Sequence, residues 1–250
     1  MRWRRHRGRV PTLSPQALAD TWQLVSVLLD YPDEALPQRI PMLLEVAGSL
    51  PDGPREPLVA TLTAFGQTPL ADLQREYVDT FDVTRSCALH LTYATHGDTR
   101  RRGVALIEFV QAFRRAGVPF EIGAELPDHL CVVLEFGAFH DSGIAWDLLV
   151  RHRVAIELLR AGLARRESPW LGIVEALRTT LPPLVGDDNE VLARLIAAGP
   201  PQEDVGLEPY ALDPSLDIAR GLGPDPMPSA TPDPAGRQFL GATIPLGAPR

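Results

Sequence analysis

Between residues 14 and 198 apolar side chains recur at intervals of three and four and never alternate with polar ones over the length of a strand. A period near 3.6 demands helices, whereas a half-buried strand needs a period of two. Ser14-Pro15, an N-cap and a first-turn residue, opens a run with Leu18, Trp22, Val25 and Leu29 on one stripe, and Tyr31-Pro32 stops it. A second helix is expected from about Pro41 to Gly48, because Pro37 and Pro41 suit only a first turn, and a third over 55–65. Thr68-Pro69 opens a fourth, with Leu70, Leu73, Tyr77 and Phe81 on one face, and a loop over 84–97 follows. Asp98 then caps a helix with Leu106, Phe109, Val110 and Phe113 inward, ended by Gly117 and Pro119. Helices from Pro127, over 143–164, from Pro169 and from Asp187 complete the pattern. The fold class this predicts is all-α, a single helical bundle.

Charge divides the 250 residues into three parts. Residues 1–9 hold five Arg and no acid; residues 10–198 carry −9; from 199 onward the charge is −4 and 18 of 52 residues are Pro or Gly. The expected organisation is a basic disordered arm over 1–12, an all-helical domain over 13–198 and an acidic tail over 199–250. The tail is too poor in apolar surface to offset its ordering entropy, Phe239 to Leu246 being its one apolar stretch. An acidic body lacks the basic stripe that nucleic-acid binding needs. All 24 basic residues are Arg, so Schiff-base and P-loop lysine chemistry is out of reach. No run approaches the ~18 apolar residues of a membrane span, and the two cysteines make no disulfide framework. The reading is a soluble, cytoplasmic protein.

Enzymatic signatures are missing: there is no G-x-S-x-G, H-E-x-x-H, Walker A motif or Glu-x-x-His pair. Polar residues accumulate in two places instead. One runs from Tyr77 through Phe81, Asp82, Arg85, His90 and His96 to Gly97, Asp98 and Arg100–Arg102; the other is Glu125-Leu126-Pro127-Asp128-His129, with Glu135 beyond it. Plain structural readings stand beside functional ones. Asp98 is most simply an N-cap, Asp128 a first-turn acid, and Gly103 an aid to close helix approach. His129, on the side of Val133, fits a hydrogen-bonded core residue. Arg100–Arg102 oppose the helix macrodipole, so they either meet an anionic partner or form a solvated face. His90, His96 and His129 with Asp128 form a possible metal set whose spacing specifies none, and Cys87 with a His and an Asp a possible triad without an oxyanion feature.

The stretch YVDTFDVTRSCALHLTYATHGDTRRRG at 77–103, followed by ELPDHLCVVLEF at 125–136, closely resembles the nitrate reductase molybdenum cofactor assembly chaperones, the NarJ branch of the TorD-like family. LLDYPDE at 28–34 adds to the likeness, which covers roughly residues 15–198. The resemblance implies a helical chaperone, not an enzyme. It would hold the catalytic (alpha) subunit of respiratory nitrate reductase, including its N-terminal leader-like segment, while molybdenum–bis-guanine-dinucleotide is inserted, and would keep no cofactor itself. It carries client binding onto Tyr77, Phe81, Asp82, Arg85, His90, His96, Gly97, Asp98, Arg100, Arg102, Glu125, Pro127, Asp128, His129 and Glu135. The loop over 84–97 and the Pro127–His129 turn are expected to meet beside a groove, with Phe81 or Tyr93 giving apolar contact. Asp82, Glu125 and Asp128 would face client cations. Two alternatives remain: a chaperone for another molybdoenzyme, such as a formate dehydrogenase or sulfoxide reductase, and a metal-dependent hydrolase using Asp128, His129 and His90.

Overall fold

The computed structural model describes residues 11–97, 100–120, 125–184 and 186–199; Asp98, nearly all of the basic arm and the Pro/Gly-rich tail beyond Gly199 lie outside them. The central helix is α1 (Pro15–Leu29). Its N-cap Ser14 accepts from the Ala17 amide at 3.2 Å. Leu18, Trp22, Val25, Leu28 and Leu29 are all buried, so α1 is covered on several sides at once. It lies along α7 (Leu130–Phe139) and against α10 (Leu171–Thr179), with α2 (Leu36–Ser49) and α8 (Ser142–Arg151) at its flanks. α3 (Asp52–Gln67) packs between α2 and α10.

Indole and phenol groups tie these helices together. Trp22 Nε1 donates to Thr180 Oγ1 (3.0 Å), Trp146 Nε1 to the Thr180 carbonyl (3.2 Å), and Trp170 Nε1 to the Leu28 carbonyl (3.0 Å). Each large ring thus fills the core without leaving a buried N–H unpaired. At Gly137 a Cβ would stand 2.5 Å from Trp22 Cζ3 and 2.6 Å from Ala145 Cβ, so only glycine lets α1, α7 and α8 come this close.

Helix boundaries depart from expectation in several places. α2 and α3 begin earlier than expected, since Pro37 and Pro54 take the first turns, where the absent N–H has no partner to lose. Pro41 and Pro57 are then inside the helices, each removing one i→i−4 bond. α4 (Leu70–Tyr77) widens into a π-turn over Val78–Asp82. The loop over 84–97 contains a 3₁₀ turn, Arg85–Cys87, and a one-turn helix, α5 (Tyr93–His96). After α6 (Arg100–Arg115), the helix expected from Pro127 starts instead at Leu130, because residues 127–129 pair with the earlier loop.

The helix expected over 143–164 breaks at His152 into α8 and α9 (Arg153–Arg165). The break turns the His152 ring onto Phe109 of α6, centroids 4.9 Å apart, and sends Arg153 inward. There Glu157 accepts from Arg153 and Arg178 (2.8 Å each) and from Arg160 (3.0 Å), locking α9 to α10. The final helix, α11 (Asp187–Ala198), rests on α9 and buries no residue fully.

Candidate functional site

The two polar clusters meet through the backbone. His90 and His129 form an isolated antiparallel bridge; the Leu91 amide donates to the Asp128 carbonyl (3.0 Å) and the Leu130 amide to the Leu89 carbonyl (2.9 Å). Their rings stand edge to face with centroids 5.2 Å apart. Contact between residues 39 apart leaves no trace in helical periodicity, but the two turns do join as expected.

Asp128 is the keystone of the junction and it faces inward. Its side chain has no exposed surface, which corrects the expectation that it meets a client cation. Oδ2 accepts from the Thr92 amide (3.1 Å) and the Thr92 hydroxyl (2.5 Å), while Oδ1 stands 3.4 Å from His90 Nδ1. Burial alone would raise this carboxyl; the His90 ring and the two Thr92 donors outweigh it and hold it down at about 2. Asp128 is therefore ionised and acts as a clamp on the loop. Thr92, which completes the clamp, carried no signal in the sequence, since a threonine in a loop has no preferred role. His129 caps α7 from an extended backbone, and burial keeps its ring below the usual histidine range.

Tyr77 and Phe81 belong to an aromatic cluster. The Tyr77 hydroxyl donates to the Leu29 carbonyl (3.0 Å), and its ring contacts Tyr31, Phe81 and Trp170. Burial raises the phenol well above its ordinary range, and the charges of Asp30, Asp82 and Glu125 push the same way. Those of Asp30, Glu135 and Glu125 likewise bear on Cys131, after burial itself. Asp30, Asp82, Glu125 and Glu135 are all exposed, and they come from four separate segments. An acidic rim therefore surrounds the Tyr77 and His129 neighbourhood. Asp30, in the turn before Pro32, is a member that the two clusters did not include. Glu125 also approaches His90 Nε2 at 3.9 Å.

The remaining positions scatter around this centre. His96 is half-buried, and burial, with Arg101 and Arg102, pushes its ring below the usual histidine range. Gly97 ends α5 at φ 55°, a conformation that glycine adopts at least cost. Arg102 lies over the Tyr93 ring at 5.5 Å, Arg100 opens α6, Arg85 is exposed at the 3₁₀ turn, and Pro127 is buried. Burial raises both the Cys87 and Cys131 thiols, which removes the thiolate a Cys87 triad would need. Among the described residues no three His, Cys, Asp or Glu side chains are grouped to hold a metal ion. Nor is any described helix long and apolar enough to cross a membrane.

A family model, nitrate reductase delta subunit, matches residues 47–175, which takes in both clusters. The chain belongs to this family, and its relatives include the NarJ-type chaperones. The nitrate reductase-like protein NarX of Mycobacterium tuberculosis is 34% identical over 185 residues, 68% of this chain and 28% of NarX, so the chain spans little more than a quarter of that relative. The nitrate reductase molybdenum cofactor assembly chaperone NarJ of Escherichia coli is 31% identical over 157 residues, 62% of this chain and 66% of that one. The probable chaperone of the same name from Bacillus subtilis is 29% identical over 64% of this chain and 88% of its own length. A crystal structure of a putative redox enzyme maturation protein from Archaeoglobus fulgidus aligns with 70% of this chain and 97% of that one, at 21% identity and a TM-score of 0.49.

Proposed function

We propose that the chain is a cytoplasmic chaperone for the catalytic (alpha) subunit of respiratory nitrate reductase. It binds that subunit, including its basic N-terminal segment, while molybdenum–bis-guanine-dinucleotide is inserted, and leaves without joining the finished enzyme. The cofactor is cargo delivered to the client and is not retained. The observation that carries this reading is the acidic rim: four exposed carboxylates from four segments beside a centre of aromatic and histidine side chains, next to which Asp128 pins the loop over 84–97. A partner segment with cations spaced along an apolar face matches such a rim, and the body's −9 speeds its encounter. Likeness to chaperones of nitrate reductase supports the choice of client.

The test is a titration of a fluorescent peptide bearing the client's N-terminal segment against the wild type and an Asp30→Asn, Asp82→Asn, Glu125→Gln triple variant. Three partly screened charge contacts at roughly 0.3–1 kcal/mol each predict about a tenfold loss of affinity, and a shallower salt dependence. Equal affinity in both proteins would move the peptide away from the rim.

A further inference from the structure

The function proposed above gives no task to the five arginines of residues 1–9, yet the surface of α1 offers them a route. Gln16, Asp20, Gln23, Val27 and Asp30 recur at intervals of three and four and are exposed or half-buried, so one solvent-facing stripe runs the length of α1. It ends at a cleft of about 90 Å³. Leu36, Phe65 and Trp170 form the apolar floor, Val27 and Asp30 line it from the stripe, and Glu135 comes from α7. Tyr31 beside it is 47% exposed. Arg39 on one wall is ion-paired with Asp33, and no described arginine pairs with Asp30 or Glu135. Burial, with the charge of Asp30, raises the Glu135 carboxyl, as expected of two carboxylates that share a mouth without a cation.

We infer that residues 1–10 fold back along this stripe and seat an arginine in the cleft, so that the chain's own arm occupies the place of a basic client segment. Residues 1–9 carry five arginines and no acid, with Trp3 among them. The 15 residues of α1 rise about 22 Å, and ten extended residues span roughly 33 Å, so the arm reaches the cleft with chain to spare. Arg7 and Arg9 pass Asp20 on the way. At the cleft an arginine stem from Arg2, Arg4 or Arg5 lies over the apolar floor while its planar fork meets Asp30 and Glu135, and Trp3 packs on Tyr31. Tethering gives the arm an effective concentration on the order of millimolar, so it holds the cleft until a client segment displaces it. That competition rests on the function proposed above, whereas the contact itself stands on the cleft and the arm.

The arm supplies its own probe. Trp22, Trp146 and Trp170 are buried, so acrylamide quenching of the full chain, corrected with a Trp3→Phe variant, reports on Trp3. Its quenching constant is expected to rise about twofold between about 0.02 and 0.5 M salt, as screening frees the arm. An Asp30→Asn, Glu135→Gln variant is expected to show the high value at both salts. A Trp3 equally open at low salt in the wild type and the variant would overturn the inference. So would protection that fades on dilution, since the arm would then lie on a second copy of the chain. In a separate titration, an Arg2→Gln, Arg4→Gln, Arg5→Gln variant is expected to bind the client segment about threefold to tenfold more tightly than the wild type, and equal affinity would overturn the competition. Quenching needs no client, so a wild type that ignores the segment would strike the proposed function and leave the contact to be decided by Trp3 alone.

Discussion

Asp128 and His152 illustrate how single buried groups set the response of this protein to acid. The Asp128 carboxyl titrates near 2 in the folded chain and near 3.8 when unfolded. Its contribution is present above about pH 4 and is lost as the pH falls through about 2, and the shift corresponds to roughly 2 kcal/mol. His152 acts in a different window. Burial, aided by Arg151, holds its ring at about 4 against 6.5 when exposed, so the unfolded chain takes up a proton first. Stability therefore falls as the pH drops from about 6.5 to 4, by up to about 3 kcal/mol. Denaturant titrations from about pH 8 to about pH 2 separate the two. His152→Phe is expected to flatten the upper window and leave the lower one, whereas Asp128→Asn is expected to destabilise at neutral pH and flatten the lower one. A His152→Phe profile identical to that of the wild type would assign the upper window to another group.

At the level of elements, close approach is decided by a few small residues. Gly137→Ala forces a methyl into Trp22 and Ala145, and a loss of roughly 1–3 kcal/mol is expected in thermal or chemical melts. Gly103 is the opposite case: it was expected to aid close packing, yet nothing lies within 4 Å of its added Cβ. Gly103→Ala should stabilise α6 by about 0.5–1 kcal/mol, and a loss would show that the position is crowded after all. The stripes of α1, α6 and α10 were legible because Trp22, Phe109, Phe113 and Trp170 recur on the buried side of a continuous helix. The break at His152 was not, since Arg151-His152-Arg153 contains neither proline nor glycine and its cause is a tertiary contact with Phe109. Proline was misleading in α2, where Pro37 had already taken the first turn and Pro41 lies inside the helix. In the site, the two clusters were legible as departures from helical economy. That they meet was expected, but the His90–His129 bridge that joins them, the inward turn of Asp128 and the role of Thr92 were not legible, because pairing across 39 residues depends on topology rather than on local pattern.

For the whole molecule, an all-helical frame carries an acidic rim beside Tyr77 and His129. Such a layout suits a protein that holds a basic partner segment without altering its covalent structure. The central claim is the capture of an unfinished nitrate reductase subunit through its basic N-terminal segment. The most direct measurement is calorimetric titration of that segment, as a synthetic peptide, into the full chain at two ionic strengths. The account predicts saturable one-to-one binding that weakens as salt is raised. Absence of binding at both ionic strengths, while the chain stays folded by circular dichroism, would contradict it.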